Sequence, residues 1–315
     1  MKEIDANATS SGDWRGVVAK NKTRTRWVIF SFVLIYFIIG MILSAIINHP
    51  LFLVISMIFV SISIIIGITR GASMTLAGTN AIEVNASSND SAHKQLYNIV
   101  EEMKIASSLS FMPKVYVLPV DYMNAFASGW NEKSALIAVS EPLLKKLTRD
   151  QLQAVVAHEM AHIRNQDIRL LLAVSVISNI ALFVVDILFR SMVRSSNRSS
   201  KKNDKGAAIV LIVVVLRILL PIITAVLIYY LSRKREFMAD AGCVQFTRDN
   251  KSLADALKTI HTPHKTNRET YDKAYKNTSH ESYRQLSYIF NPGSMGIGSK
   301  SNVAGWFDTH PTLEQ

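Results

Sequence analysis

Two long apolar runs near the start of the chain limit the folds that it can adopt. Residues 27–47 (WVIFSFVLIYFIIGMILSAII) and 51–69 (LFLVISMIFVSISIIIGIT) contain no charged residue. Each is close to the roughly 20 residues that a helix needs to cross the hydrocarbon core of a bilayer. Only Asn48, His49 and Pro50 separate them. The sequence therefore predicts a transmembrane hairpin, which is retained as an anchor because its first run is too long for a signal-peptide core.

The charges around this hairpin predict its orientation. The flanking basic residues are Arg15, Lys20, Lys22, Arg24 and Arg26 before it and Arg70 after it. Because Lys and Arg are enriched on the cytoplasmic side, both ends are predicted to lie in the cytoplasm. The net charge of +11 comes mainly from residues beside apolar runs. This pattern favours the lipid bilayer as partner and argues against nucleic acid. Cys243 is the single cysteine, so no internal disulfide forms, as suits a cytosolic catalytic portion.

A second pair of apolar runs, 170–189 and 207–231, follows later in the chain. The connector between them is basic, and chain parity places it outside the cytoplasm, against the positive-inside rule. Either the pair crosses the membrane despite these charges, or it enters as a hairpin without crossing. Asp186 and Arg217 are the formal charges inside these runs. They either pair with each other, or the arginine snorkels and the aspartate lies at the interface.

Between and after the apolar pairs, the sequence has the composition of a water-exposed domain. A helix is predicted near 89–108, and short strands are predicted at 114–119 and 134–140. Thr148 and Gln151 form a capping-box pattern that begins a further helix. The predicted organisation is a basic N-terminus (1–26), a transmembrane hairpin (27–70), a first catalytic part (71–168), a second apolar pair (169–231) and a second catalytic part (232–315). The region after about residue 250 is expected to be polar and irregular.

The helix that begins at the capping box carries the sequence AHEMAHIRNQD, residues 157–167. Residues four apart lie on one helix face, so His158 and His162 can present two imidazole nitrogens to one ion. Glu159, about 100° around the helix, can act on a water bound to that ion. The spacing predicts a zinc site, with one Zn²⁺ per chain, that hydrolyses peptide bonds. The alternative is an amphipathic helix with ordinary polar residues.

A zinc hydrolase needs a third protein ligand, and LSRKREFMADAG, directly after the fourth apolar run, contains Glu236. His162 lies about 12 Å before the third run and Glu236 about 7.5 Å beyond the fourth, by helical rise. An antiparallel hairpin therefore brings Glu236 to the level of the histidines; otherwise it is a solvated charge. Asp240, one turn further, is predicted to accept a hydrogen bond from a ligand imidazole. Asp167 either caps or ion-pairs near the membrane, or supports the site.

Four motifs occur in order along the chain: MPKVYVLPVDYMNAFASG, HEMAHIRNQD, SRKREFMADAG and the terminal THPT. Together they resemble the HtpX-type membrane zinc metalloproteases, which are gluzincins related to the CAAX prenyl proteases. The resemblance implies a mainly α integral membrane protein: four apolar helices and a cytosolic zincin-like α+β catalytic domain with a small sheet. It also implies that His158, His162 and Glu236 bind zinc and that Glu159 is the catalytic base.

By the same resemblance, Asn124 and Ala125 belong to an edge strand beside the substrate cleft, and His310 is a candidate donor to the oxyanion. An extended substrate adding to this edge would be held by backbone hydrogen bonds. Phe126 is expected to pack in the core. Cys243 is expected to be a small buried residue. The histidines outside these motifs are expected to be solvated: His261, His264 and His280.

The predicted function is zinc-dependent endoproteolysis of membrane or misfolded proteins on the cytosolic side. Proteolytic quality control is implied by the resemblance alone. One alternative is a specialised processing protease of the prenyl-protease type. The other is a zinc-bearing scaffold without turnover, against which Glu159 argues, because a structural zinc site has no need of a base.

Overall fold

The computed structural model describes residues 14–196, 204–292 and 297. The helices are α1 (Trp14–Ile47), α2 (Leu51–Leu76), α3 (Ser91–Ala106), α4 (Glu141–Lys146), α5 (Arg149–Asn165), α6 (Ile168–Ser196), α7 (Asp204–Thr247), α8 (Ser252–Thr266) and α9 (Arg268–Asn277). The strands are β1 (Ile82–Val84), β2 (Lys114–Leu118), β3 (Ala125–Ser128) and β4 (Leu136–Ser140). Short 3-10 turns follow α9 at Glu281–Tyr283 and Gln285–Ser287. The chain is thus mainly helical with one small sheet, as predicted.

The apolar helices are α1, α2, α6 and α7. Within the described residues, three segments are long and apolar enough to cross a membrane: Gly16–Ala45, Leu51–Leu76 and Ile168–Ile187. The described part of α7 contains a shorter apolar stretch, Val210–Leu220. α1 begins well before the apolar run at residue 27, because its polar first turns pack against the water-exposed domain. There, Asn21 donates a hydrogen bond of 3.0 Å to the carbonyl oxygen of Asn165.

Within each hairpin, the two helices contact each other closely. A glycine allows this in the first hairpin, and an ion pair connects the helices of the second. A side chain at Gly40 of α1 would collide with Ser56 and with the backbone of Leu53 on α2. Between α6 and α7, Arg217 Nη2 lies 3.2 Å from Asp186 Oδ1. The structure therefore decides between the two sequence alternatives in favour of pairing. A charge near lipid is expected to find such a partner.

The sheet has the order β1-β2-β4-β3, with β2 and β4 parallel and the outer pairs antiparallel. Its main apolar core lies against α3 and α5 and includes Leu96, Ile137 and Val155. The capping box forms as predicted: Thr148 Oγ1 accepts from the backbone of Gln151, and the Gln151 side chain accepts from the backbone of Thr148. These contacts fix the start of α5, which packs against α3 and β3 on the side of the sheet and also against α7 and α1.

The prediction that the chain is irregular after about residue 250 is wrong. α8 and α9 fill residues 252–277, and α8 packs on α5. Its buried residues Ala256, Ile260 and His264 recur every four residues, and the His264 ring stacks on Tyr271 of α9. His264 is therefore buried and not solvated, and burial lowers its pKa to about 4. The sequence does not indicate an amphipathic helix here, because only two apolar residues mark its buried face and Pro263 lies inside it.

Arg284 is a buried hub that sequence reasoning missed. Its Nη1 donates to the carbonyl oxygen of Ala77 at 2.8 Å, and its Nη2 donates to that of Ser279 at 2.8 Å. Its Nε donates to the hydroxyl of Tyr288 at 3.3 Å. These bonds connect the end of α2 to the segment after α9. The guanidinium is buried, so each bond replaces water that burial removes.

Glu281, next to this hub, leads to a prediction about stability. Burial raises the pKa of its carboxyl from the ordinary 4.5 to about 8, although the nearby Arg284 guanidinium opposes the shift and Asp272 adds to it. The folded protein therefore holds this proton more tightly than the unfolded chain does. Its contribution to stability is full below pH 4.5 and is lost as the pH rises through 8.

Glu281→Gln is thus expected to raise the melting temperature in detergent at pH 9 by several degrees, and to change it little at pH 5. Thermal unfolding followed by circular dichroism at both pH values measures this. Glu269→Gln, on the exposed start of α9, is the control and should give no pH-dependent difference. Equal effects of Glu281→Gln at pH 5 and pH 9 would contradict the prediction.

Candidate active site

The centre of the site is the C-terminal half of α5. His158 and His162 lie one turn apart on the same face, with their rings nearly perpendicular and their Nε2 atoms 3.1 Å apart. α7 crosses α5 here and supplies Glu236. Its Oε2 lies 3.6 Å from His158 Nε2 and 3.7 Å from His162 Nε2. Glu236 therefore lies at the same height along the helices as the two histidines, as expected from the helical rise.

The spacing of these three atoms fits a metal ion. Tetrahedral ligands at the usual zinc distances of about 2.0–2.1 Å lie about 3.3–3.4 Å from one another. The three distances of 3.1, 3.6 and 3.7 Å bracket that value. Two imidazoles and one carboxylate also form the donor set that a catalytic divalent ion uses, with a fourth position for water. His158, His162 and Glu236 could therefore hold one metal ion with little rearrangement.

Two aspartates orient the imidazoles from behind. Asp167 Oδ2 lies 3.0 Å from His162 Nδ1, and Asp240 Oδ1 lies 3.0 Å from His158 Nδ1. Each contact directs the opposite nitrogen, Nε2, toward the common centre. The sequence is compatible with two roles for Asp167, near the membrane or in support of the site. The turn between α5 and α6 places it under His162, where it is buried. Such contacts orient ligand rings in many metal sites.

The carboxylates also affect how the metal-free histidines bind protons. Burial alone would lower the pKa of His158, but Asp240 and Glu236 outweigh it and raise the pKa to about 9. The pKa of His162 is raised for the same reason, chiefly by Asp167 and Glu236 against the effect of burial. A metal ion that binds here therefore replaces protons, since ligating imidazoles must be neutral.

Glu159 lies between the metal cluster and β3. Burial raises the pKa of its carboxyl, while the adjacent His158 and His162 rings partly oppose that shift. The four side chains of the centre are only 1–7% exposed: His158, Glu159, His162 and Glu236. Glu159 is thus buried beside the cluster of His158, His162 and Glu236 without being part of it.

The structure also places the residues predicted to hold substrate. Ala125 begins β3, the last strand of the four-stranded sheet, and Asn124 directly precedes it. Phe126 and Cys243 are buried, as predicted. His310 lies outside the described residues, so its role as an oxyanion donor stays a prediction.

The crossing of α5 and α7 depends on Gly242. A Cβ at this position would lie 2.7 Å from the Cβ of Ala161, next to His162, so the two helices would have to separate. Gly242→Ala is expected to lower casein cleavage about 10- to 100-fold, since misplacement by about 1 Å can cost that much. Metal content per chain and cleavage rate measure the effect. Ala241→Ser, on the exposed face of α7, should change neither; unchanged metal binding and cleavage in Gly242→Ala would contradict this account.

The fold and site together define an integral membrane metalloprotease: apolar helices carry an HExxH helix and a glutamate from a distant helix. Comparison with known proteins agrees. Residues 90–315 match Peptidase family M48. "Protease HtpX homolog" of Helicobacter acinonychis (strain Sheeba) is 34% identical over 95% of both chains. That of Listeria monocytogenes serovar 1/2a is 35% identical over 94% of this chain and 95% of the relative.

The chain belongs to Peptidase family M48. It is therefore a metalloprotease whose substrates are polypeptides, and its apolar helices place it in a lipid bilayer. Among solved structures, that of S. mikatae Ste24p matches with a TM-score of 0.47 and 15% identity, covering 95% of this chain and 64% of that one.

Proposed function

We propose that this protein is a zinc-dependent endopeptidase that cleaves membrane or misfolded proteins at the cytosolic face of a bacterial inner membrane. The observation that carries the proposal is the convergence of His158, His162 and Glu236 within 3.1–3.7 Å, with Glu159 beside them. Zinc is favoured because two imidazoles and a carboxylate suit it, whereas magnesium and calcium prefer oxygen ligands alone.

The mechanism assigns each side chain a task. His158, His162 and Glu236 would hold the zinc ion, which when bound polarises the scissile carbonyl and makes water acidic enough to attack near neutral pH. Glu159 accepts the proton of the attacking water and delivers it to the leaving amine. Asp167 and Asp240 hold the two rings in the tautomer that keeps Nε2 free for the ion.

The location of the cleft supports the proposed substrates. α5 ends at Asn165, where α1 attaches, and α6 enters the apolar bundle three residues later. The metal cluster therefore lies about one to two helical turns from the start of a membrane helix. The basic residues in the first turns of α1, before its apolar run, favour the cytosolic side. Two chain segments, 71–168 and 232–315, build the proposed catalytic domain around the helix pair 169–231.

Metal analysis combined with a protease assay tests this function. The purified protein in detergent is expected to contain one zinc per chain and to cleave casein. A chelator should abolish cleavage, and added zinc should restore it. Cleavage of a prenylated peptide without cleavage of casein would instead favour the specialised processing protease. Zinc without cleavage of any substrate would favour the scaffold and overturn the proposal.

A further inference from the structure

The outer edge of β3, where a substrate strand is predicted to add, is already occupied by the chain itself. Residues Tyr288–Phe290 run antiparallel to β3, and Tyr288 is paired with Phe126. The backbone N–H of Ile289 donates to the carbonyl oxygen of Ala125 at 2.9 Å. β4 takes the opposite edge of β3. The segment therefore makes the backbone contacts that an extended substrate would make.

Asn124 completes this pairing with its side chain. Its Nδ2 donates to the carbonyl oxygen of Phe290 at 2.8 Å, and its Oδ1 accepts from the backbone N–H of Phe290 at 3.2 Å. The amide thus binds both backbone groups of one residue of an extended chain. Tyr288–Phe290 thus forms hydrogen bonds with Asn124 and Ala125, the two residues that are predicted to lie beside the substrate cleft.

The side chains of this segment fill pockets next to β3. Tyr288, Ile289 and Phe290 are all buried. The hydroxyl of Tyr288 lies 2.9 Å from that of Tyr122, and the ring of Phe290 lies 4.5 Å from that of His264. Three consecutive large side chains are thus bound as an extended peptide is bound in a groove. If the segment leaves, Arg284 loses its bond to the Tyr288 hydroxyl, but its bonds to Ala77 and Ser279 still hold the chain just before the segment.

The side chain of Glu159, the proposed base, is buried while Tyr288–Phe290 is paired with β3. Glu159 is 1% exposed, and the helix that carries it, α5, packs against β3. A general base must come within about 3 Å of the proton that it abstracts. While Tyr288–Phe290 fills this edge, an extended substrate cannot pair with the backbone of Ala125.

We propose that Tyr288–Phe290 is an internal occupant of the substrate-binding edge, and that substrate binds by taking its place. Displacement by a substrate rests on the proposed function, because it requires that the protein cleaves polypeptides. The pairing of Tyr288–Phe290 with β3 does not depend on that function. The substrate that fits is an extended chain with consecutive large apolar side chains. Such segments are exposed when a protein is misfolded and are hidden when it is folded.

A reversible lock tests the proposal. Ala125 and Ile289 are opposite one another by the Phe126–Tyr288 register, where antiparallel Cα atoms lie about 5.5 Å apart. This separation suits a disulfide. In a Cys243→Ala background, Ala125→Cys with Ile289→Cys is expected to cleave casein at least tenfold more slowly when oxidised than when reduced, with equal zinc content. The oxidised and reduced states of one protein are compared, so any effect of the substitutions themselves cancels.

A matched lock elsewhere in the sheet is the control. Glu83 and Tyr116 are opposite each other in β1 and β2, remote from β3. Glu83→Cys with Tyr116→Cys, in the same background, should cleave casein equally in both redox states. Equal cleavage by the oxidised and reduced Ala125–Ile289 pair would overturn the proposal. If metal-loaded wild-type protein cleaves nothing, the proposed function fails and a measurement that needs no turnover decides the inference.

That measurement is hydrogen exchange at the backbone amide of Ile289. In the wild-type protein this amide is expected to be protected by Ala125. Addition of a peptide hydroxamate with large apolar side chains should speed its exchange at least tenfold, because the added strand displaces the segment. Continued protection of Ile289 while the hydroxamate is bound would show that the segment is a permanent part of the sheet, and the proposal would be wrong.

Discussion

Glu159→Gln is expected to abolish casein cleavage while leaving one zinc ion bound per chain. Glutamine has nearly the same shape as glutamate, but it cannot take up the proton of the attacking water. Loss of a general base typically costs about 10²- to 10⁴-fold in rate. The measurement is casein hydrolysis by the purified protein in detergent, with zinc determined on the same sample. Retained cleavage would remove Glu159 from the mechanism.

The control for this variant lies on the same helix. Asp150→Asn removes a carboxylate from the exposed first turn of α5, away from the cluster. It should keep both zinc and activity. If Asp150→Asn were as inactive as Glu159→Gln, the loss would reflect damage to α5 and not loss of a base. Equal melting temperatures of the two variants would exclude that damage.

Glu236→Gln is expected to lose zinc and casein cleavage together. The substitution replaces an anionic ligand with a neutral amide at 3.6–3.7 Å from the two ligand nitrogens. Loss of a carboxylate that only supports a ligand costs about 10- to 100-fold in metal affinity, so loss of the ligand itself should cost more. Asp167→Asn, which alters only the support of His162, should therefore fall between Glu236→Gln and the wild-type protein. Zinc titration against a competing chelator gives all three affinities.

Glu101→Gln, on the exposed face of α3, is the control for a lost surface carboxylate and should bind zinc like the wild-type protein. If Glu236→Gln kept wild-type zinc affinity, α7 would not supply the third ligand. If Asp167→Asn lost as much affinity as Glu236→Gln, the aspartate would itself act as a ligand. The order of the three affinities thus tests the site independently of turnover.

The features that could be predicted from the sequence depend on residues close together in the chain. The length of the apolar runs is enough to predict membrane helices. The capping box at Thr148 involves residues only three positions apart. The spacing of His158 and His162 is fixed by the helical period alone. Glu236 is the exception, since it is 74 residues from His162 by their numbers. It could be placed because two helices that start and end at a membrane surface share a common reference level.

The features that only the tertiary structure decided join residues without such a reference. Asp167 could point either way from the turn after α5, and packing of α6 against α5 directs it to His162. In the sequence His264 looks like one more polar side chain, but in the fold it is buried against the rings of Tyr271 and Phe290. Arg284 reads as a surface charge until the end of α2 provides carbonyl oxygens more than 200 residues earlier in the chain.

The edge of β3 shows the same division most clearly. The resemblance of the sequence to the HtpX-type proteases predicted that Asn124 and Ala125 belong to an edge strand beside a substrate cleft. It contained no sign that Tyr288–Phe290 would occupy that edge, because strand pairing depends on which backbone groups remain unpaired after folding. Local periodicity decides which elements form. The partners of an open edge, a buried charge or a turn are decided only when distant segments compete for them.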